Sequence, residues 1–231
     1  MSDKPIYYTD DGKEIVRFVY VKGHSVPIVK DENGKEVFGT GKADINSFAV
    51  GNQTHKEFVN AIKSAKASRP FKDRWRVDVH TEKDYDEKRC KCWKSKGGST
   101  VAITGDGDII SVCKFKGDTT TSGSALLEKA VKMGGVKLDS FAGNHSFYVK
   151  NGFEPVSWTP FNIQYAPPGW DKSFEQEPVI FYRYVGKGNV KNISVTKFLA
   201  DKTKKFTGDS GYDNAMKYRD DEIRKMKGEN K

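Results

Sequence analysis

The apolar positions of this chain first follow the two-residue period of strands and later, in three places, the period of helices. Between residues 6 and 40, Ile15, Arg17, Val19 and Val21 alternate with Val16, Phe18 and Tyr20, an apolar run that predicts a strand covered on both faces. Val26, Ile28 and Val29 precede Asn33-Gly34, and Val37 and Phe38 come after it. That dipeptide suits a hairpin with two positive-φ positions. Gly39, Gly41 and Gly51 mark residues 39–53 as a loop-rich connection. At Thr54 the pattern changes. Thr54-x-x-Glu57 is a reciprocal capping pair, and Phe58, Ile62 and Ala65 then form an apolar stripe opposite Lys56, Lys63 and Lys66, up to Arg69-Pro70. From Arg74 to His80, Trp75, Val77 and Val79 alternate with polar residues, which predicts a half-buried strand. Thr81-x-x-Asp84 caps a further helix, expected to carry Tyr85, Cys92 and Trp93 inward. Val101–Thr104 and Ile109–Phe115 flank Gly105-Asp106-Gly107-Asp108 and read as a hairpin.

The stretch from Gly117 to Phe153 is the one around which the rest of the chain is organised. A hydroxyl-rich loop, Gly117-Asp-Thr-Thr-Thr-Ser-Gly-Ser124, opens a helix with Leu126, Leu127, Ala130, Val131 and Met133 on one face and Glu128, Lys129 and Lys132 on the other. Gly134-Gly135 ends it, because positive φ is cheapest for glycine. A short strand, Val136–Phe141, precedes a second helix bearing Phe147 and Tyr148, which ends at Gly152 with Phe153 placed to fold back as the apolar contact of the cap. Val156–Phe161 and Val179–Val185 read as strands around an aromatic loop that includes Tyr165-Ala-Pro-Pro-Gly-Trp170. A terminal helix is expected near Tyr212–Lys227, either an interaction arm or a frayed, solvated end.

This order, with Tyr148-Val-Lys-Asn-Gly152-Phe153, resembles the GNAT superfamily of acyl-CoA-dependent N-acyltransferases, most closely the divergent GNAT-like domains of phages and mobile elements. The likeness spans roughly residues 73–185. It implies an α/β (α+β) fold with a mixed, largely antiparallel sheet flanked by helices, in which Ser99–Phe115 and Val136–Phe141 share one sheet. It also implies a division into a β-rich N-terminal extension (1–53), a GNAT-like domain (54–185) and a basic C-terminal appendage (186–231). In such proteins the loop before the long helix offers backbone amides to the pyrophosphate of coenzyme A. Here the family's Gly-x-Gly or Gly-x-Ala loop is reduced to Gly117 and Ser122-Gly123-Ser124, so these four are the residues expected to bind acetyl-CoA or another acyl-CoA. The resemblance makes Tyr148 the general acid for the departing thiolate, a role suited to a phenol because its pKa is close to that of the thiol. A packing aromatic would satisfy the same pattern.

Composition adds a second line. Forty Lys and Arg against 31 Asp and Glu leave a formal charge of +9, which favours nucleic acid, an acidic protein face or a phosphorylated cofactor as partner, or serves solubility alone. Residues 186–231 hold twelve basic and seven acidic residues and contribute over half of that excess. No apolar run is long enough to span a membrane, and the start, Met1-Ser-Asp-Lys-Pro5, has no apolar stretch of the secretory type. With three scattered cysteines, the expectation is a cytoplasmic chain, in a host cell if phage-encoded.

His145, at the start of the Tyr148 helix, and His80, on the polar face of the expected strand, are the candidate bases for an amine acceptor, although a lone histidine is more often structural. Cys90 and Cys92 would point apart on a helix and lack a second ligand pair, so no metal site is expected. Two functions stay open at this point: acyl transfer to an amine, or a non-catalytic binding protein on the same scaffold.

Overall fold

In the computed structural model, which describes residues 6–9, 12–21, 24–39, 49–166, 170–174 and 176–228, the chain is mixed α+β with three sheets, and it divides into two units. The first comprises Met1–Pro70 and Val77–Gly135. The second comprises Phe71–Arg76 and Val136–Lys231.

In the first unit, β1 (Ile6–Tyr8), β2 (Glu14–Val21), β3 (His24–Lys30), β4 (Glu36–Phe38) and β5 (Ala49–Gly51) pair antiparallel in the order β4-β3-β2-β1-β5. The expectation that β2 is covered on both faces is corrected: Ile15 is buried, but Val16 and Val21 are 44% and 41% exposed. Branched and aromatic side chains favour a pleated strand even where one face stays open. The Asn33-Gly34 hairpin forms, although only Gly34 takes a positive φ. The Asp31 carboxylate builds the turn instead, accepting the amides of Asn33 and Lys35 at 2.9 Å each. Of the loop expected over residues 39–53, residues 40–48 lie outside the described residues.

Helix α1 (His55–Ser68) begins with both arms of its capping box in place: Thr54 Oγ1 accepts the Glu57 amide, and Glu57 Oε2 accepts the Thr54 amide. Its Phe58, Ile62 and Ala65 pack into a core with Tyr85, Cys90, Cys92, Ala102 and Cys113. No strand forms over Arg74–His80. Phe71–Arg74 is a helical turn (α2), Trp75 is buried among aromatics of the second unit, and Val77 and Val79 lie against the core of the first. The alternation is real, but its apolar members serve two cores.

Helix α3 (Glu82–Glu87), with its own capping box at Thr81 and Asp84, is shorter than expected. Cys92 and Trp93 stand on β6 (Lys91–Lys94), not on the helix. The chain turns at Arg89, which takes a positive φ, so that Tyr85 and Cys92 meet in one core without sharing a helix. Cys90 and Cys92 are therefore two apart on extended chain, on one face, and both are buried. Strands β6, β7 (Thr100–Ile103) and β8 (Ile109–Cys113) form an antiparallel sheet in chain order, followed by α4 (Gly123–Lys132), which buries Leu126, Leu127 and Ala130. Gly134 alone supplies the positive φ after it. Gly135 is small for another reason, since a Cβ there would fall 2.5 Å from Ile109 Cγ1.

In the second unit, β9 (Lys137–Phe141), α5 (His145–Lys150), β10 (Phe153–Thr159), β11 (Val179–Tyr184), α6 (Val195–Ala200) and α7 (Gly211–Met226) succeed one another in sequence. The last strand lies in the middle: β11 pairs antiparallel with β10 on one side and β9 on the other. Trp75 is stacked on Phe174 with ring centroids 6.2 Å apart and meets Phe141 edge-on at 4.7 Å. Helix α7 is neither frayed nor merely solvated. It buries Ala215 and Arg219, its Ala215 carbonyl accepts the Ser157 hydroxyl at 2.7 Å, and its Asp220 pairs with Lys137 at 3.0 Å. The single sheet expected to join Ser99–Phe115 with Val136–Phe141 is not formed among the described residues. β7 and β8 belong to one sheet, and β9 belongs to another.

Candidate functional site

The loop after β8 is built around a carboxylate. Asp118 Oδ2 accepts the hydroxyls of Ser95 at 2.6 Å and Ser99 at 2.5 Å. Its Oδ1 accepts the Thr120 amide at 2.8 Å, the Thr120 hydroxyl at 2.7 Å and the Thr121 amide at 3.1 Å. The residue is only 5% exposed. Burial by itself would raise its pKa, but the hydrogen bonds from Ser95, Ser99 and Thr120 outweigh that and hold the carboxyl well below the usual carboxylate range. Lys114 closes the loop from outside, donating to the carbonyls of Asp118 at 2.6 Å and Thr121 at 2.7 Å.

The four residues expected to hold a pyrophosphate belong to this loop and the helix it opens. Gly117 takes a φ of 96°, with open space where a side chain would stand, so backbone angle rather than crowding requires glycine there. Ser122 caps α4 through its hydroxyl, which accepts the Ala125 amide at 3.1 Å, and Gly123 and Ser124 form the first turn. The amides of Thr120 and Thr121, which such a loop could turn toward a phosphate, are given to Asp118. His80, in the same unit, packs edge-on to Tyr85 with ring centroids 5.6 Å apart. Burial, then the Lys88 charge, lowers its pKa against the opposing pull of Asp78 and Asp84.

Tyr148 and His145 belong to the second unit, where Tyr182 brings them together. Tyr148 is buried on α5 between Phe147, Phe153 and Tyr182. Burial pushes its phenol up to about 12, with a hydrogen bond to Ser140 opposing and Asp139 reinforcing the shift. His145 is also buried. Its Nε2 lies 2.8 Å from the Ile193 carbonyl, which can only accept, so Nε2 carries the proton. Its Nδ1 shares a hydrogen bond with the Tyr182 hydroxyl at 3.2 Å. Both nitrogens thus tie the segment around Ile193 to α5 and β11, and neither is presented to an incoming amine.

Two features were not read from the sequence. One is Asp118 itself. Its local signal is an Asp followed by two hydroxyl residues that can close a turn on it, but its other donors, Ser95 and Ser99, lie 23 and 19 residues away. The other is a cavity of about 370 Å³ in the second unit, where Pro160, Phe161 and Ile163 stand among the polar side chains of Asn162, Gln164 and Gln176. None of the residues singled out for acyl transfer reaches it. Among the described residues no group of three or more His, Cys, Asp or Glu is arranged to hold a metal ion, and no helix is long and apolar enough to cross a membrane. No protein-family model, curated protein or solved structure matches the chain.

Proposed function

We propose that this chain is a binding protein without acyl-transfer chemistry, whose sequence order of hairpin, loop, helix, strand and Gly-Phe turn resembles that of N-acyltransferases. Asp118 carries this reading. A coenzyme A pyrophosphate would have to approach a loop that already holds a fixed, buried negative charge satisfied by five hydrogen bonds. Displacing that carboxylate would leave it unsatisfied at a cost of several kcal/mol, on the order of the penalty for orphaning a buried charge. Calorimetry with acetyl-CoA at millimolar concentration tests the proposal. No saturable heat is expected, and saturable binding with acetylation of an added amine would overturn it.

A second reading, acyl transfer from acyl-CoA to an amine, draws support from the closing turn of α5. Gly152 takes a φ of 91°, a Cβ there would fall 2.7 Å from the backbone at Gly186, and the Phe153 ring lies 6.1 Å from that of Tyr148. In that reading Tyr148 protonates the departing thiolate of coenzyme A. Under it, Tyr148→Phe would abolish turnover while leaving acetyl-CoA affinity unchanged.

A further inference from the structure

Several basic residues of the second unit are held in ion pairs. Arg76 pairs with Glu177, Lys137 with Asp220, Arg183 with Glu154 and Glu222, Arg224 with Asp221, and Lys225 with Glu222. The segment from Lys191 to Lys205 differs. It holds Lys191, Lys197, Lys202, Lys204 and Lys205 and one acid, Asp201, and none of the five ammoniums forms a salt bridge with a described carboxylate. Asp201 accepts the Thr203 amide at 3.0 Å and the Thr203 hydroxyl at 2.6 Å, and its carboxylate feels the Lys204 charge without forming a salt bridge to it. Three of the lysines are placed by aromatic faces instead. Lys202 and Lys205 lie 5.6 Å and 5.2 Å from the centre of the Trp158 ring, and Lys204 lies 5.4 Å from that of Phe198. A ring quadrupole orients an ammonium without neutralising it, so Lys202 and Lys205 are held beside one ring and Lys204 beside another with their charges kept.

We propose that this lysine face, Lys202, Lys204 and Lys205 with Lys191 and Lys197 on the adjoining segment, binds the phosphate backbone of duplex nucleic acid. Three observations select that partner. The patch is all lysine, whose ammoniums bind phosphates as point charges without reading a base edge in a fixed geometry. Trp158 and Phe198 are buried at 5% and 2% exposure, so the patch offers neither the aromatic anchor of a protein interface nor a platform on which single-stranded bases could stack. The charges stand on a short stretch of chain fixed to the sheet, where Trp158 bridges Lys205 and its carbonyl accepts the Phe206 amide at 3.0 Å. Binding is therefore independent of base sequence and steeply dependent on salt.

The inference rests on the binding-protein reading and is tested separately, by fluorescence anisotropy of the full chain with a short labelled DNA duplex across a salt series. Neutralising about five phosphates predicts a log–log slope near −4.5, a loss of affinity of about 500-fold between about 50 and about 200 mM salt. The variant Lys202→Gln/Lys204→Gln/Lys205→Gln should lower the slope by about 2.7. Arg224→Gln/Lys225→Gln, which removes carboxylate-paired charges from α7, should leave it unchanged. Circular dichroism checks that each variant is folded. Absence of binding at low salt, an unchanged slope in the triple variant, or an equal effect of the α7 pair would overturn the site. Displacement of the duplex by polyglutamate at near-stoichiometric amounts would overturn it in favour of an acidic protein. Acetyl-CoA turnover would remove the binding-protein reading without altering these slopes, and flat slopes would remove the lysine site while the calorimetry stands.

Discussion

Gly97 and Asp118 are fitted to each other: a Cβ built on Gly97 would fall 2.0 Å from Asp118 Oδ1 and 2.2 Å from its Cγ. The carboxylate cannot withdraw, because five hydrogen bonds fix it. Gly97→Ala should therefore destabilise the first unit by about 1–3 kcal/mol, the usual cost of overpacking a filled site. Urea denaturation measures it. Combined with Asp118→Ala, the loss should be clearly smaller than the sum of the two single losses, because the second change removes what the first collides with.

Asp118 also predicts how stability varies with pH. Its folded pKa lies below the value of the unfolded chain, about 3.9, so the group contributes stability above that value and loses it as pH falls from about 4 toward the folded pKa. Asp118→Asn should cost about 2–3 kcal/mol at pH 7, as expected for removing hydrogen bonds to a buried charge. The gap between wild type and variant should narrow progressively below pH 4. A gap constant from pH 7 to pH 3 would contradict the low pKa.

For Tyr148 the sign is opposite. Its folded pKa is raised to about 12, above the unfolded value near 10, so its contribution is fully present below pH 10 and is lost as pH rises through about 12. Ultraviolet titration of tyrosinate should show no difference between wild type and Tyr148→Phe below about pH 11. A tyrosinate signal at pH 10 that disappears in Tyr148→Phe would show the phenol to be accessible and reopen its use as an acid.

His145 and Tyr182 should behave as a structural pair. His145→Ala and Tyr182→Phe each remove one end of the same buried hydrogen bond, and a double-mutant cycle should give a coupling of about 1 kcal/mol. Hydrogen exchange should report loosening around Ile193, whose carbonyl loses its donor, in His145→Ala but not in Tyr182→Phe.

Truncation after Asp209 tests whether the C-terminal residues are an appendage. The cut strips Ala215 and Tyr212 from the sheet and leaves Lys137, at 7% exposure, without Asp220. The second unit should lose cooperative unfolding in a thermal melt. Unchanged melting would mean that α7 contributes nothing to that core.

What the sequence made legible was local. Both capping boxes pair residues three apart, and the hairpins at Gly34 and Gly107 close over a few residues, so a short window contains all the chemistry that fixes them. The period of α4 likewise identified Leu126, Leu127 and Ala130 as buried. Failures came where one pattern had two origins. Trp75, Val77 and Val79 alternate like a strand because two cores divide them, and Tyr85 and Cys92 keep helical spacing although the chain turns between them. The passage from β8 through a hydroxyl-rich loop into α4 is legible in the sequence, but the role of Asp118 within it is not, since Ser95 and Ser99 reach it only once β7 and β8 have paired. Sequence spacing likewise could not show that the order of elements would be divided between separate sheets.

The six residues Phe71–Arg76 belong to the second unit although the chain returns at Val77 to complete the first. No single cut therefore releases either unit whole. An expression fragment beginning at Val136 lacks the Trp75 indole that fills the space beside Phe141 and Phe174, and one ending at Gly135 carries that indole exposed. On the ribosome Trp75 emerges more than sixty residues before Phe141, so the nascent chain must keep a large aromatic side chain uncommitted until its partners are synthesised.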